Sequence, residues 1–423
     1  MSTPSIKVGQ GNWGIKVGNL LGYANTEKKF SPVEFTSTRS LNTATRVNAS
    51  GNIQAVNADI PRIDYFGGQA SLLVEPSGTN GIRNNSMIGA VAGSPGTLPT
   101  NWILGGVGLV QQIVAVGTEN GVSYIDLRLS GTATAGTATL SFESATQIAA
   151  LTGQNWTISS YLKTIALPSP PVSFVLAITE RTSVGGIVAQ QATSVSLTST
   201  LARYSYSPTL NGGATTAFAQ PRLFFTLFVG QAYDFTIRIG YPQMELGSVA
   251  TSVIPTTTGS VTRNADVISV TGVAGLIGQT EGTLYAEVDI RQASLGTILA
   301  VDDGDTTDFI SIVKNANLTI RVSIRRAGGS ITNIITSSAV ALGAHKIALA
   351  YKNGDYALYI DGLSAGTSTN STDYPATALI QCVLSNTSYG PLNDRIRAYA
   401  LYQTRLPNTT TDGSPSLQSI TTL

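Results

Sequence analysis

Apolar and polar residues alternate with a period of two through long stretches of this chain, the pattern of strands that rest one face on a core. In Val122–Leu129, Ser123, Ile125, Leu127 and Leu129 fall on one side, with Val122, Tyr124, Asp126 and Arg128 on the other. Asn155–Ala166 puts Trp156, Ile158, Ser160 and Leu162 together, and Val172–Thr179 does the same with Val172, Phe174, Leu176 and Ile178. Tyr233–Ile239 directs Tyr233, Phe235, Ile237 and Ile239 inward and Asp234, Thr236 and Arg238 outward. Turn clusters such as Pro168-Ser169-Pro170-Pro171 and Asn211-Gly212-Gly213 separate these runs. Strands without intervening helices predict an antiparallel sandwich, the one helical candidate being Ser144–Leu151. Ser252–Arg263 lacks a core period and reads as a linker or a domain-crossing strand.

A second series follows: Thr283–Ile290, Thr297–Val301, Phe309–Val313, Leu318–Ile324, Ile331–Thr336, His345–Tyr351, Tyr356–Ile360, Ala378–Leu384 and Ile396–Tyr402. Asn353-Gly354-Asp355 marks a tight hairpin inside it. Residues around Pro415–Thr421 suit one short helix or an extended tail. The expected fold is all-β: two antiparallel β-sandwich (jelly-roll) domains with an extended N-terminal docking segment, and helix below ~15% of residues.

Residues 1–60 depart from this pattern. Gly9, Gly11, Gly14, Gly18 and Gly22 punctuate a stretch whose large apolar residues are mainly Trp13, Leu20, Leu21 and Tyr23. Six basic residues stand against three acidic ones there. Such a segment closes no core alone, so it is expected to lie on another surface, with those four residues as its docking contacts.

Composition narrows the chemistry. Among 423 residues, 25 are Lys or Arg and 24 Asp or Glu, so no field of one sign draws the chain to nucleic acid or an anionic membrane. Charged residues make up only 12%, which disfavours long salt-bridged helices. The single cysteine, Cys382, and the single histidine, His345, exclude an internal disulfide, a multi-thiolate metal site and any site needing two imidazoles. No apolar run approaches ~18 residues, so neither a secretory leader nor a membrane span is expected.

Three segments carry a resemblance. Ala44-Thr45-Arg46-Val47-Asn48, Gly51, Pro61-Arg62-Ile63-Asp64-Tyr65, Leu72-Leu73-Val74-Glu75-Pro76 and Thr79-Asn80 occur in an order that resembles a module recurrent in bacteriophage virion proteins. Gln243-Met244-Glu245-Leu246-Gly247, Ala250–Thr256 and Thr262–Asp266 are similar to the closing strand of the carbohydrate-binding-module-like jelly roll of those proteins. His345–Tyr351, leading to Tyr359-Ile360-Asp361-Gly362, resembles the hairpin of concanavalin A-like, laminin-G-type domains. The resemblance implies a virion structural protein of tail-fibre, head-fibre or decoration type, usually trimeric, made in the bacterial cytoplasm and carried on the particle. Its divisions would be residues 1–85, a docking arm with leading strands; 86–262, the jelly roll; and 263–423, the laminin-G-type sandwich. Other virion proteins and host glycans would be its partners. Within the first segment, Arg46, Arg62 and Asp64 are candidates either for an inter-segment ion pair that holds the arm or for a solvated surface role.

Candidate chemistry is sparse. Glu287-x-Asp289 puts two carboxylates on one strand face, as glycoside cleavage requires. Concanavalin-like glucanases carry Glu-x-Asp-x-x-Glu, and here Gln292 holds the last position and cannot exchange the proton. A polar solvent face is the expected role, and no enzyme activity is expected. Asp302, Asp303, Asp305 and Asp308 form the densest acidic cluster, a calcium candidate by ligand type but equally an acidic hairpin turn without the closing Glu of an EF-hand. No other cofactor is expected. His345 lacks the Gly-x-Ser-x-Gly elbow of a serine triad and reads as structural. Cys382 reads as a buried small hydrophobe. Tyr124, Tyr204, Tyr206, Tyr374 and Tyr389 are candidates for stacking on sugars. Two functions stand: a fibre that contacts glycans, or a purely architectural virion protein with no ligand.

Overall fold

The computed structural model describes residues 3–422 except 10–12, 27–28, 106–107 and 387. Strands take 53% of the chain and helix 2%, with nearly all pairings antiparallel. The first sandwich packs two five-stranded sheets. One runs Ile103–Gly105, Thr137–Ser141, Phe218–Thr226, Ser173–Arg181, Ile187–Val195; the other Leu109–Glu119, Val122–Thr132, Ala232–Leu246, Trp156–Ala166, Ala202–Tyr206. Ile125, Leu127, Leu129, Tyr233, Phe235, Ile237 and Ile239 all enter the core between them, as the alternation predicts. Phe174, Phe225 and Phe235 meet there with centroids about 6 Å apart (5.8–6.1 Å). Ser144–Leu151 forms turns rather than a helix. Ile148 and Ala150 seal one end of the core, and backbone bonds tie them to Ala219 and Ala217 instead of to a helical turn.

The second sandwich is built around Glu281–Ile290, flanked by Gly343–Lys352 and Asp394–Tyr402. Gly296–Asp302, Phe309–Lys314, Thr319–Arg325 and Thr332–Ala339 form the facing layer. The Asp361-Gly362 turn has φ of 51° and 79°, where Gly362 carries no side-chain penalty. Leu417–Thr421 is a single helical turn capped by Ser416. With Leu406 it covers Tyr285, Ala348, Ala350, Tyr359 and Ala400 on the sheet's outer side. Asp289, expected at a solvent face, is buried: Arg291 and Arg397 pair with it, and Arg397 also reaches Glu287.

The N-terminal segment is not an extended arm. Ile6–Gly9 pairs with Asp394–Tyr402, Asn19–Thr26 pairs with Ile6–Gly9, and Lys29–Thr38 crosses from Asn19–Thr26 to Val267–Val270 in the facing layer. Leu20 and Phe35 lie in the second sandwich's core, where Phe35 meets the edge of Tyr399 at 5.5 Å. Gly22 is needed because a Cβ would approach Val8 and Phe35 to within 3 Å (2.8 and 2.9 Å). Of the four expected docking contacts, Leu20 is therefore consumed internally, and Trp13 donates its indole N–H to Ala70 O while packing on the same core. Leu21 is half-buried, and Tyr23 stays 42% exposed. Much of the surface these residues need is supplied by strands some 230–395 residues away in the chain, which a local reading of residues 1–60 does not see.

If these strands are part of the core, Leu20→Ala lowers unfolding stability by about 2–5 kcal/mol, and Tyr23→Ala stays within about 0.5 kcal/mol. Urea titration checks this, and equal effects would contradict the packing.

Candidate functional site

A cluster of buried charge joins the two sandwiches. Arg62 is wholly buried; its Nη1 donates to Glu75 Oε2 (2.7 Å), Thr45 O (3.1 Å) and Ser252 Oγ (2.8 Å), and its Nη2 to Asp266 Oδ2. Arg39 Nη1 reaches the other Asp266 oxygen at 2.8 Å, and Arg263 Nη1 reaches Glu75 at 2.8 Å. Ser252 donates its N–H and hydroxyl to Glu75, both at 2.7 Å. Nearby, Glu245 Oε2 accepts from Gln243 and Thr251, and Asn80 Oδ1 accepts the N–H groups of Met244 and Ile82. Val261–Arg263 adds a short ladder to Gly78–Asn80. Ser252–Arg263 is thus a crossing segment whose polar groups are satisfied by side chains. Arg62 belongs to this cluster. Asp64 does not: it pairs with Arg395 at 2.7 Å and accepts the N–H groups of Val47 and Phe66. Arg46 instead donates to Ile63 O and Gln54 Oε1.

Above this cluster, between the sandwiches, lies a groove of about 690 Å³. Thr45–Val47, Asp64 and Phe66 form one wall, Tyr161 and Arg203 another, and Arg291 and Arg395 a third. Phe66 is half exposed, with the guanidiniums of Arg395 and Arg291 at 4.8 and 5.6 Å from its ring centre. Arg203 sits 5.9 Å from the Tyr161 ring and is anchored to Thr251 O and Ser159 Oγ. Tyr161 faces away from the first core by the strand's own alternation, since Ile158 and Leu162 on the other face enter it. The groove therefore offers two aromatic rings and several fixed N–H donors, the mixture that recognises a hydroxylated ring compound. Neither Phe66 nor Tyr161 was singled out by sequence, since nothing in the alternation marks a ring beside a junction.

The sequence-named residues lie elsewhere. Tyr124 is covered by Arg238 at 3.4 Å and Tyr389 by Arg321 at 4.4 Å, so each has one ring face occupied. Tyr204 donates to Ser196 O and, like Tyr206, leans on the first core; Tyr374 donates to Gln279 O beside the second. The five do not converge on one platform. The acidic cluster is a turn whose carboxylates accept from its own residues and from Ala327, Ala376 and Thr377. Asp303 Oδ2 accepts from Asp308 N–H and the hydroxyls of Thr307 and Thr377, and Asp308 accepts from Ala327 and Ala376. Asp305 accepts Thr307 N–H. Among the described residues no group of three or more His, Cys, Asp or Glu is placed to hold a metal ion, and Asp302, Asp303, Asp305 and Asp308 stand in a hydrogen-bonded turn. His345 is pinned between Asp361 (2.6 Å) and Ala341 O (2.8 Å), at the foot of its hairpin. Cys382 is buried in the second core, which pushes its thiol up.

No known family matches the chain, and no curated protein is significantly similar in sequence. Solved structures similar to it are of β-sandwich carbohydrate-binding-module, pentraxin and laminin-G type. The CBM40 module of the Ruminococcus gnavus IT-sialidase, bound to α2,3 sialyllactose, is 15% identical over 36% of this chain and 86% of that one, at a TM-score of 0.29. The SAP-like pentraxin of Limulus polyphemus is 14% identical over 30% and 66%, at 0.25. Domains LG4-5 of the mouse laminin α1 chain are 13% identical over 61% and 86%, at 0.24.

Two pH effects of opposite sign follow from the buried acids. Burial alone would raise the Glu75 carboxyl, but Arg263 and Arg62 outweigh it and hold the group well below the usual range. Its stabilisation is present at neutral pH and is lost as pH falls below about 4. Asp302 is pushed up to about 6 by burial, with Asp303 and Asp305 adding to the shift. Its folded form holds the proton more tightly, so stability falls as pH rises from about 4 to about 6. Arg62→Ala costs about 3–5 kcal/mol at pH 7 by removing one of the two guanidiniums that compensate each of the buried carboxylates Glu75 and Asp266. Asp302→Asn gains roughly 2 kcal/mol there and flattens the profile between pH 4 and 6. Chemical unfolding across pH 3–8 measures both.

Proposed function

We propose that this chain is a non-catalytic structural component of a bacteriophage particle, a fibre or receptor-binding protein whose junction groove contacts glycans on the host surface. The observation that carries the glycan part is the groove itself: Phe66 and Tyr161 beside the fixed donors of Arg46, Arg203, Arg291 and Arg395, in a volume that suits a small saccharide. Support for the virion part is that Arg62, Glu75, Asn80, Glu245, Ser252, Arg263 and Asp266, drawn from the two stretches that resemble virion modules, meet in one buried cluster. The resemblance is thus concentrated in residues that lock two sandwiches together, as a load-resisting external protein requires. A homotrimer is the assembly proposed with it. Val110, Val114 and Val116, exposed on an edge strand, are apolar area a second copy would cover.

The test has two arms. Purified full-length chain is screened on a glycan array, where binding lost in Tyr161→Ala and Phe66→Ala at unchanged thermal stability supports the groove. An array that stays blank favours the architectural alternative. Antibodies to the chain are applied to intact phage particles, and particles that remain unlabelled overturn the virion assignment. Sedimentation showing a stable monomer at micromolar concentration overturns the trimer.

A further inference from the structure

The outward face of the sheet Ile103–Gly105, Thr137–Ser141, Phe218–Thr226, Ser173–Arg181, Ile187–Val195 carries two arginines that meet no carboxylate. Thr179 faces Gln220 across the ladder. Arg181 donates from Nε (3.1 Å) and Nη2 (2.6 Å) to Gln220 Oε1, and Arg222 donates from Nη1 to Thr179 Oγ1 at 3.3 Å. Both guanidiniums therefore converge on one cross-strand pair. The one acidic residue in these five strands is Glu180, and it accepts instead from Asn211 N–H, Gly212 N–H and the Thr216 hydroxyl at the sheet's end. Arg222 lies 4.6 Å from the Phe224 ring centre, and its Nε is buried without a partner. Burial pushes Arg222 down to about 10, with repulsion from Arg181 adding to the effect. Two like charges held half-buried on one hydroxyl–amide pair are unfavourable until an anion joins them.

We propose that Arg181 and Arg222 form an oxyanion-binding site, separate from the junction groove, that takes the carboxylate or sulfate group of an acidic saccharide. A planar guanidinium binds such a group through two parallel N–H bonds, and Arg222 commits only its Nη1 within the sheet, to Thr179 Oγ1. The saccharide as the source of the oxyanion rests on the glycan reading above; the oxyanion chemistry rests on the two arginines alone.

Thermal unfolding and calorimetry of the full chain test this with sodium sulfate against sodium chloride at matched ionic strength, and with a sialylated trisaccharide against neutral lactose. Sulfate is expected to raise the Tm and the trisaccharide to bind where lactose does not. Arg222→Gln and Arg181→Gln are each expected to weaken both responses about tenfold. The unliganded Tm of Arg222→Gln, which gives up only the 3.3 Å bond to Thr179, should be unchanged or higher, because a repulsion has been removed, whereas a purely structural arginine would lower it. Tyr161→Ala should leave the sulfate response intact. Responses to sulfate that persist in both arginine variants, or no response in the parent chain, overturn the site. A sulfate response without a trisaccharide response supports the site and counts against the saccharide.

Discussion

Arg62 is the point on which the two halves of the molecule depend. It is wholly enclosed, and its five donors are shared between Asp266, Glu75, Ser252 and the backbone of Thr45. A guanidinium in such a place is tolerated only when nearly every N–H finds an acceptor, because the desolvation cost exceeds what a single ion pair returns. Satisfying it fixes three pieces of chain at once: the strand Arg62–Asp64, the segment around Glu75, and the crossing segment 251–266. Hydrophobic packing alone would allow the sandwiches to slide, since apolar contact is non-directional. Directional bonds from Arg39, Arg62 and Arg263 fix the angle between them, and with it the shape of the groove above.

Completion of the second sandwich by the chain's own beginning follows similar logic. Asp394–Tyr402 sits beside Glu281–Ile290 and would present an open edge on its other side; Ile6–Gly9 and Ser71–Val74 occupy that edge. Lys29–Thr38 then carries the ladder around to the facing layer, so the sheet closes over its core on this side. An unpaired edge of this length invites pairing with foreign strands, and covering it internally removes the hazard. The region that reads as weakest in the sequence is therefore the one that seals the fold.

The two candidate binding surfaces are made differently. At the junction, aromatic rings and arginines are borrowed from both sandwiches, so the site exists only when they are locked. On the sheet face, Arg181 and Arg222 come from adjacent strands of one layer and need no partner domain. At the junction arginine heads are held by carbonyls and hydroxyls as well as by acids, and on the sheet face by amide, carbonyl and hydroxyl oxygens without an acid, which leaves positive charge available outward. A near-neutral total charge hides this, because the acids are concentrated in the junction cluster, the 302–308 turn and the outer ion pairs such as Arg238 with Asp126 and Glu119.

What the sequence by itself determined is the all-β class, the strand series on both sides of 252–263, the inward residues of Tyr233–Ile239, the Asn353-Gly354-Asp355 and Asp361-Gly362 turns and the burial of Cys382 as a small hydrophobe. These are local properties: period-two alternation, glycine at positive φ, and the small apolar character of a cysteine. Tertiary structure decided everything that needs partners distant along the chain. It turned the expected arm into core strands, since Leu20 and Phe35 find Tyr399 only after folding. It also separated the five tyrosines, absorbed the acidic cluster into hydrogen bonds, and brought Phe66 beside Tyr161. A charge or a ring becomes a site through what stands opposite it, and in antiparallel sheets the opposing residue is set by ladder register and by domain docking rather than by sequence neighbourhood.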